Sequence, residues 1–230
     1  MKKLLLALIL LLAIPAWATY PTEYLIGNPT FFYEDDEFIS GTTTSGEIGK
    51  QGWVTVVDAG TAVVSLGLQT NRPGSIRLTN DTPSSTRLCL KDCTATTGIF
   101  NYSDDFDTTA IISFPTYGRP SYLGYYMSNF STSVLIGLTN NGNASDTFWA
   151  VCAGCTPTNT GVAITSNTWY KLRMKKTGSS VEFYINDTLK ATLTTTASGV
   201  FQPIFFNSWS TTQRYIEVDY WNFIIPSVAR

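Results

Sequence analysis

The sequence predicts an all-β fold, a two-sheet antiparallel β-sandwich of the jelly-roll type. Three observations support this prediction. Short segments alternate apolar and polar side chains with the period of two that is typical of half-buried strands. Turns rich in Gly, Asn and Pro separate them, and no amphipathic helix of useful length follows the N-terminal segment. Many short strands without helices are the pattern of a sandwich.

Residues 168–196 give the clearest pattern, a meander of three strands joined by two turns. Gly178 is expected to adopt positive φ in the first turn, because it lacks a Cβ. The dipeptide Asn186-Asp187 is expected to form the second turn, since both residues tolerate the left-handed region. The third strand is predicted to place three apolar residues on one face, Leu189, Ala191 and Leu193.

The same patterns predict strands along the rest of the chain. They fall at 53–57, 62–66, 75–79, 86–90, 107–115, 121–127, 129–138, 147–152, 160–164, 203–209 and 214–225. The first two are mostly apolar, and we expect them to be central. Before them, the acidic residues of 33–37 predict either a solvated turn or a loop whose carboxylates hold a hard cation such as Ca²⁺.

The N-terminus has the features of an export leader. Lys2 and Lys3 precede an apolar run, and the small-x-small sequence at 16–18 is a cleavage signal. The run of about eleven residues is shorter than the roughly 20 that cross a bilayer. We therefore expect a signal peptide at 1–18 and one domain at 19–230. The mature protein is predicted to be secreted or cell-surface, without membrane attachment after cleavage.

Four cysteines occur in two closely spaced pairs, Cys89 with Cys93 and Cys152 with Cys155. An even number in an exported chain favours disulfides, and three connectivities can be written. Two local bridges are favoured, because each pair lies in a turn-like segment. The alternatives are a four-thiolate zinc site, for which the C-x2-C half has the right spacing, and a redox-active C-x2-C pair.

Composition restricts the function. A net charge of −2 with 14% charged residues excludes nucleic-acid binding by phosphate neutralisation. The absence of His excludes Ser-His-Asp and Cys-His catalysis. A glycosidase needs two carboxylates, and although Glu217 and Asp219 alternate suitably, no second Glu follows them. We therefore expect a protein that is not an enzyme.

Carbohydrate recognition is the preferred function, because sugar rings stack on aromatic side chains and neighbouring polar groups orient them. The partner would be a glycan or surface polysaccharide. A structural protein of a virion, filament or cell surface that self-assembles is the alternative, and a glycan-degrading enzyme is a second. The candidate binding residues are Tyr117, Arg119, Tyr122, Tyr126, Trp149, Asn207 and Trp209.

Eight segments together resemble concanavalin-A-like lectin and glucanase domains. They are 36–41, 49–53, 71–78, 146–150, 159–162, 169–173, 183–186 and 218–220. Within that family, the chain is most similar to the version found in structural proteins of phages and viruses, so the virion surface is an alternative location. The resemblance implies a structural Ca²⁺ that joins the first strand to the last. Its ligands would be Asp219 with Glu34 or Asp36.

Overall fold

The computed structural model describes residues 31–36, 53–59, 62–66, 75–80, 85–90, 100–116, 122–128, 135–140, 147–208 and 214–226, at some of them the backbone alone. These residues form sixteen β-strands in two antiparallel sheets and contain no helix. The predicted all-β sandwich is confirmed. Across the described ranges there is correspondingly no helix that could span a bilayer.

The first sheet contains the meander and the last strand of the chain. Its hydrogen-bonded order is β14 (Thr188–Thr194), β13 (Ser180–Ile185), β12 (Trp169–Thr177), β7 (Phe106–Thr116), β16 (Arg214–Pro226), β4 (Ile76–Asn80) and β3 (Ala62–Leu66). The first strand, β1 (Phe31–Asp36), also pairs with β16. The N-terminal and C-terminal strands of the described chain are therefore neighbours.

The second sheet contains the strands from the middle of the chain. Its order is β11 (Thr158–Ala163), β10 (Thr147–Cys152), β9 (Leu135–Thr139), β8 (Tyr122–Ser128), β15 (Val200–Ser208), β5 (Ser85–Leu90) and β2 (Trp53–Ala59). The two-residue strand β6 (Phe100–Asn101) pairs with β15. In this order β8 is the central strand.

Alternate side chains of both sheets form the core between them. Its largest buried members are two tryptophans, Trp53 and Trp221, whose rings meet edge to face with centroids 5.1 Å apart. Seven phenylalanines in or beside strands surround them, each almost fully buried: Phe106, Phe114, Phe148, Phe183, Phe201, Phe205 and Phe223. Not every tryptophan belongs to the core: Trp169 is only half-buried and lies on the outer face of the first sheet.

A chain of hydrogen bonds crosses this core and joins the two sheets. Trp221 Nε1 donates to the hydroxyl of Tyr125 at 2.6 Å, and that hydroxyl meets Thr108 Oγ1. Thr108 Oγ1 donates onward to the carbonyl of Asn222 at 2.7 Å, so Tyr125 must be the donor to Thr108. Burial raises the pKa of Tyr125, which keeps its hydroxyl protonated as this chain requires.

The predicted meander is confirmed. Gly178, Asn186 and Asp187 all have positive φ, at 57°, 50° and 62°. One detail of the prediction is wrong: Leu189 does not share a face with Ala191 and Leu193. The pairing of β13 with β14 shifts between Phe183 and Tyr184. This bulge places Leu189 opposite Tyr184 on the outer face, where Leu189 is 48% exposed.

A second bulge changes which residues of β16 face the core. Its register against β7 shifts between Val218 and Tyr220, which are opposite the consecutive residues Ile112 and Ile111. Val218 and Trp221 are consequently both fully buried although their spacing is odd. Glu217 and Asp219 belong to the outer face of the first sheet.

Two other predictions for the strands need correction. Residues 31–36 form β1, so the acidic segment begins as a strand and not as a turn. β2 and β3 were expected to be central, yet each ends the hydrogen-bonded order of its sheet among the described strands. Of the strand predicted at 129–138, residues 129–134 lie outside the described ranges, and the rest is confirmed as β9 (Leu135–Thr139).

The three cysteines that the structure describes are all in disulfides. Cys152 and Cys155 are bonded to each other, as predicted, and Cys89 is disulfide-bonded as well. Cys93 lies outside the described residues. These three cysteines are therefore not thiolates, which excludes the alternative of a four-thiolate zinc site. The carbonyl of Ala153, inside the Cys152–Cys155 turn, accepts a hydrogen bond from Thr196 N at 2.9 Å and so ties the second sheet to the end of β14.

Candidate functional site

A small apolar cluster lies on the outer face of the second sheet, separate from the main core. Its buried members are Cys89, Tyr126, Val151 and Ile204, and the half-buried Leu135, Trp149 and Phe206 pack against them. They come from β5, β8, β9, β10 and β15, which are adjacent strands. We call this surface the aromatic face, after Tyr126, Trp149 and Phe206.

Tyr126 is held flat on the sheet by a glycine on the next strand. Gly137 of β9 is directly opposite Tyr126 of β8. A Cβ added to Gly137 would lie 2.4 Å from Cδ1 of the tyrosine ring, so the ring occupies the space that a side chain would take. The exposed fraction of Tyr126 is consequently only 8%, and its ring meets Phe206 edge to face with centroids 6.3 Å apart. Tyr126 therefore contributes to the packing of the face and exposes little surface that a ligand could contact.

A second glycine separates the two half-buried aromatics. Gly124 of β8 pairs with Thr139 of β9 on one side and with Phe206 of β15 on the other. Trp149 is opposite Thr139 on the far side, so one row of the sheet runs Trp149, Thr139, Gly124, Phe206. Three strand spacings separate Trp149 from Phe206, about 14 Å between backbones. Between the two rings lie Thr139, which is buried, and Gly124, where an added Cβ would lie 2.4 Å from the carbonyl oxygen of Leu138.

Arg87 extends the row beyond Phe206. It is opposite Phe206 in the pairing of β15 with β5, and its guanidinium carbon lies 6.0 Å from the centroid of the Phe206 ring. The Arg87 side chain is half-buried. The aromatic face thus combines two partly exposed rings with one stacked cation.

The structure brings together only some of the predicted binding residues. Tyr126 and Trp149 both belong to the aromatic face. Asn207 does not, because it is fully buried between the sheets and its Nδ2 donates to the carbonyl of Leu78 at 3.2 Å. Tyr122 lies in β8, where the structure describes its backbone only. Three of the predicted residues lie outside the described ranges, Tyr117, Arg119 and Trp209.

Two residues of the face were not predicted from the sequence, Phe206 and Arg87. The alternation within β15 separates Phe205 from Phe206, with Phe205 fully buried in the core and Phe206 on the outside. The sequence shows that the two phenylalanines face opposite ways, but not which of them faces the other sheet. Arg87 has the same ambiguity, since only the register places it beside Phe206.

The acidic pair at the end of the chain lies on the opposite side of the sandwich. Glu217 is fully buried and its Oε1 accepts hydrogen bonds from Arg77 Nε at 2.9 Å and from a terminal guanidinium nitrogen at 2.5 Å. Asp219 is half-buried two residues on. β1, which contains Glu34 and Asp36, pairs with the strand of Asp219, but the side chains of β1 are not described. Among the described residues no three His, Cys, Asp or Glu side chains gather into a metal site, and the calcium site stays a prediction.

Solved structures of glycan-acting proteins have this fold. A β-glucanase from Bacillus licheniformis matches with a TM-score of 0.53 at 14% identity, over 86% of this chain and 99% of its own. An endo-acting O-glycanase of the human gut microbiota, which initiates mucin breakdown, gives 0.56 at 9%, over 85% and 99%. The Crh5 transglycosylase gives 0.56 at 12%, over 87% and 85%. The fold is the concanavalin-A-like jelly roll of glucanases, as the resemblance implied.

No protein-family model matches the chain. No curated protein matches it either. At these identities the structural likeness establishes the fold alone.

The comparisons nevertheless correct the preferred function. The sequence was taken to predict a non-catalytic protein of surface recognition, with a glycan-degrading enzyme as the second alternative. The structural neighbours that we report are enzymes that degrade or rearrange glycans, which favours that alternative over the first choice.

Proposed function

We propose that this protein is a glycan-degrading enzyme whose polysaccharide substrate lies across the aromatic face of the second sheet. The observation that carries the proposal is the row in which two half-buried aromatics, Trp149 and Phe206, stand on one face of the sheet with only the small residues Thr139 and Gly124 between them. The C–H faces of sugar rings stack on such rings. Sugar units stacked on the two rings would lie about 14 Å apart, so the substrate would be a polymer rather than a single sugar.

The fold supports the choice of a glycan as the substrate. Glucanases, O-glycanases and a transglycosylase share the arrangement of two sheets with this chain over more than four-fifths of its length. A broad sheet with partly exposed aromatics suits a long polymer better than a small molecule, because a polymer can contact several strands at once. Trp149, Gly124 and Phe206 come from three different strands of this surface.

Hydrolysis of a glycosidic bond requires two carboxyl groups, about 5 to 10 Å apart. The described side chains of the aromatic face include none, and Glu217 is committed to Arg77 on the other sheet. The acids would therefore come from residues whose side chains are not described. In sequence, three of them adjoin strands of this sheet: Asp58 within β2, Asp92 just after β5 and Asp146 just before β10.

The direct test is the release of reducing ends from mixed-linkage β-glucan, β-1,3-glucan and mucin O-glycans. Asp58, Asp92 and Asp146 are each replaced by Asn. We expect two of the three variants to lose activity by about 10²-fold or more, because two carboxyl groups are needed for the reaction. Trp149→Ala and Phe206→Ala should each lower kcat/KM roughly tenfold through lost stacking.

Tyr184→Ala, on the outer face of the first sheet, is the matched control and should leave activity unchanged. Circular dichroism and melting temperatures would confirm that each variant folds. Binding of these polymers without release of reducing ends would contradict the proposal of an enzyme. If the polymers are neither bound nor cleaved, the proposal of a glycan substrate is contradicted as well.

Export and a virion location belong to this proposal as further predictions. If residues 1–18 are a signal peptide, N-terminal sequencing of the exported protein should start at Thr19. The phage or virus version of the fold predicts self-assembly, which light scattering after size exclusion would detect. A monomer that retains its leader would argue against both.

A further inference from the structure

The sequence contains five Asn-x-Ser/Thr motifs, the acceptor sequence for N-linked glycosylation. They begin at Asn80, Asn101, Asn129, Asn143 and Asn186. The structure describes the side chains of two of these asparagines, Asn101 and Asn186, and both are exposed. The motif does not distinguish one acceptor from another, so the local geometry has to show which of them can bear a glycan.

Asn186 lies in a turn that is bonded to the neighbouring strand. It has a positive φ of 50°, and together with Asp187 it joins β13 to β14. The backbone N–H of Asn186 donates to the carbonyl of Lys171 at 2.8 Å, and Lys171 Nζ lies 2.7 Å from Asp187 Oδ1. These contacts fix the turn against β12.

The side-chain amide of Asn186 is oriented by a further bond to Lys171. Its Oδ1 accepts a hydrogen bond from the backbone N–H of Lys171 at 2.9 Å. Because an N–H donor can bond only the oxygen of the amide, Nδ2 must lie on the other side of the group. Nδ2 has no hydrogen-bond partner among the described residues. The nitrogen that would carry a glycan is therefore available, while the oxygen holds the turn.

The residue that supplies the hydroxyl of the motif is accessible as well. Thr188 is the first residue of β14 and is exposed. β14 ends the hydrogen-bonded order of the first sheet, so no described strand lies beyond it. We call the side of β14 that faces away from β13 the open edge. A glycan on Asn186 would extend beside this edge without meeting another described strand.

The open edge is a surface that benefits from a cover. The unpaired backbone groups of an edge strand can pair with another chain, and bulky hydrophilic groups hinder such pairing. Leu189 follows Thr188 in β14 and is 48% exposed, the one large hydrophobic side chain among the described residues that is exposed. An apolar side chain thus lies beside the turn that contains Asn186.

We propose that Asn186 is an N-glycosylation site and that its glycan covers the open edge of β14. In the transfer, Nδ2 forms a bond to C1 of a lipid-diphosphate-linked oligosaccharide and loses one proton. The bond from C1 to the diphosphate oxygen breaks, and the lipid diphosphate leaves with its electron pair. The inference rests on the predicted export of the chain, since glycans of this kind are borne by exported proteins, and not on the proposed function.

The test uses the full chain, with its leader, in the cells that naturally produce it. Peptide mass spectrometry of the exported protein compares the parent with Thr188→Ala and Thr188→Ser. Thr188→Ala removes the hydroxyl that the motif requires but keeps Asn186 and its bonds, whereas Thr188→Ser retains the motif. The parent and Thr188→Ser should carry a glycan on the peptide that contains Asn186, and Thr188→Ala should carry none there.

Asn167 is an internal control in the same samples. It is exposed and has a positive φ of 58°, like Asn186, but Trp169 stands where the motif requires Ser or Thr. The peptide that contains Asn167 should therefore be unmodified in all three proteins.

Light scattering over a series of protein concentrations tests whether the glycan covers the edge. Thr188→Ala should form larger species than the parent at the same concentration, and Thr188→Ser should behave like the parent. Because Thr188 is exposed, neither substitution disturbs the core.

The inference is overturned if Asn186 of the exported parent is unmodified or if Thr188→Ala retains the glycan. Equal light scattering from the parent and Thr188→Ala would overturn the covering of the open edge. None of these results affects the proposed function, which the release of reducing ends tests separately.

Discussion

Replacing Tyr125 by Phe tests the hydrogen-bond chain that joins the two sheets. The substitution keeps the ring, which stacks on Phe205 with centroids 4.9 Å apart, and removes only the hydroxyl. Trp221 Nε1 then loses its acceptor inside a fully buried site, while Thr108 keeps its bond to the carbonyl of Asn222. The change therefore isolates one buried donor.

The expected destabilisation follows from those bonds. A buried donor left without a partner costs about 1 to 3 kcal/mol, and the lost bond to Thr108 contributes about 1 kcal/mol more. We expect Tyr125→Phe to lower the free energy of unfolding by roughly 2 to 4 kcal/mol. That is a large part of the 5 to 15 kcal/mol typical of a domain.

Urea unfolding with the disulfides intact measures this change through the transition midpoint at constant slope. Tyr184→Phe is the matched control, because the Tyr184 hydroxyl donates to Glu182 at 2.8 Å on the surface, and it should cost less than about 0.5 kcal/mol. A double-mutant cycle with Trp221→Phe should show a coupling of about 1 kcal/mol or more, since the second change removes the orphaned donor. Equal costs for the two Tyr variants, or no coupling, would refute the reasoning.

Three further predictions concern pH, glycine and calcium. Burial raises the pKa of Tyr125 above the ordinary value of about 10, so the hydroxyl loses its proton at lower pH in the unfolded chain than in the folded one. The free energy of unfolding should therefore be unaffected below about pH 10 and should fall as pH rises toward the folded pKa. Urea unfolding between about pH 9 and 11.5 would measure this fall, which should be less steep in Tyr125→Phe. Gly154 and Gly161 share positive φ, at 74° and 71°, but a Cβ on Gly154 would lie 2.1 Å from Thr196 Oγ1 and one on Gly161 meets nothing within 4 Å. Gly161→Ala should therefore cost about 1 kcal/mol and Gly154→Ala clearly more, and equal melting temperatures would contradict this. Calorimetric titration of chelator-treated protein should show Ca²⁺ uptake that Asp219→Asn abolishes, whereas absence of uptake by the parent removes the predicted calcium site.

Local patterns in the sequence were enough to predict most strands. In the meander, the turn residues Gly178, Asn186 and Asp187 have the positive φ that their chemistry allows, and the inward side chains Leu172 and Val181 are fully buried. Backbone conformation and alternation depend on neighbouring residues only, so they can be read from a short segment. The Cys152–Cys155 disulfide was predictable for the same reason, because the two cysteines are only three residues apart in sequence.

The bulges could not be predicted in this way. Leu189 and Asp219 both lie where two strands pair out of step, and each bulge reverses the alternation that the sequence suggests. A bulge depends on how well the two strands fit each other, so one strand alone does not specify it. The outward position of Leu189 therefore became evident only from the pairing of β13 with β14.

The amino-acid pattern alone was enough to predict an all-β sandwich, the strands that turn back in the meander and the residues that alternate within each strand. Which of the two alternating sets faces the core became evident only from the packed sheets. That choice put Asn207 in the interior and Glu217 on the outer face of the first sheet. Strand order and register then brought Trp149, Phe206 and Arg87 into one row of the second sheet. This is because strand order and register depend on residues that are far apart in the chain, so neither can be predicted from a single segment.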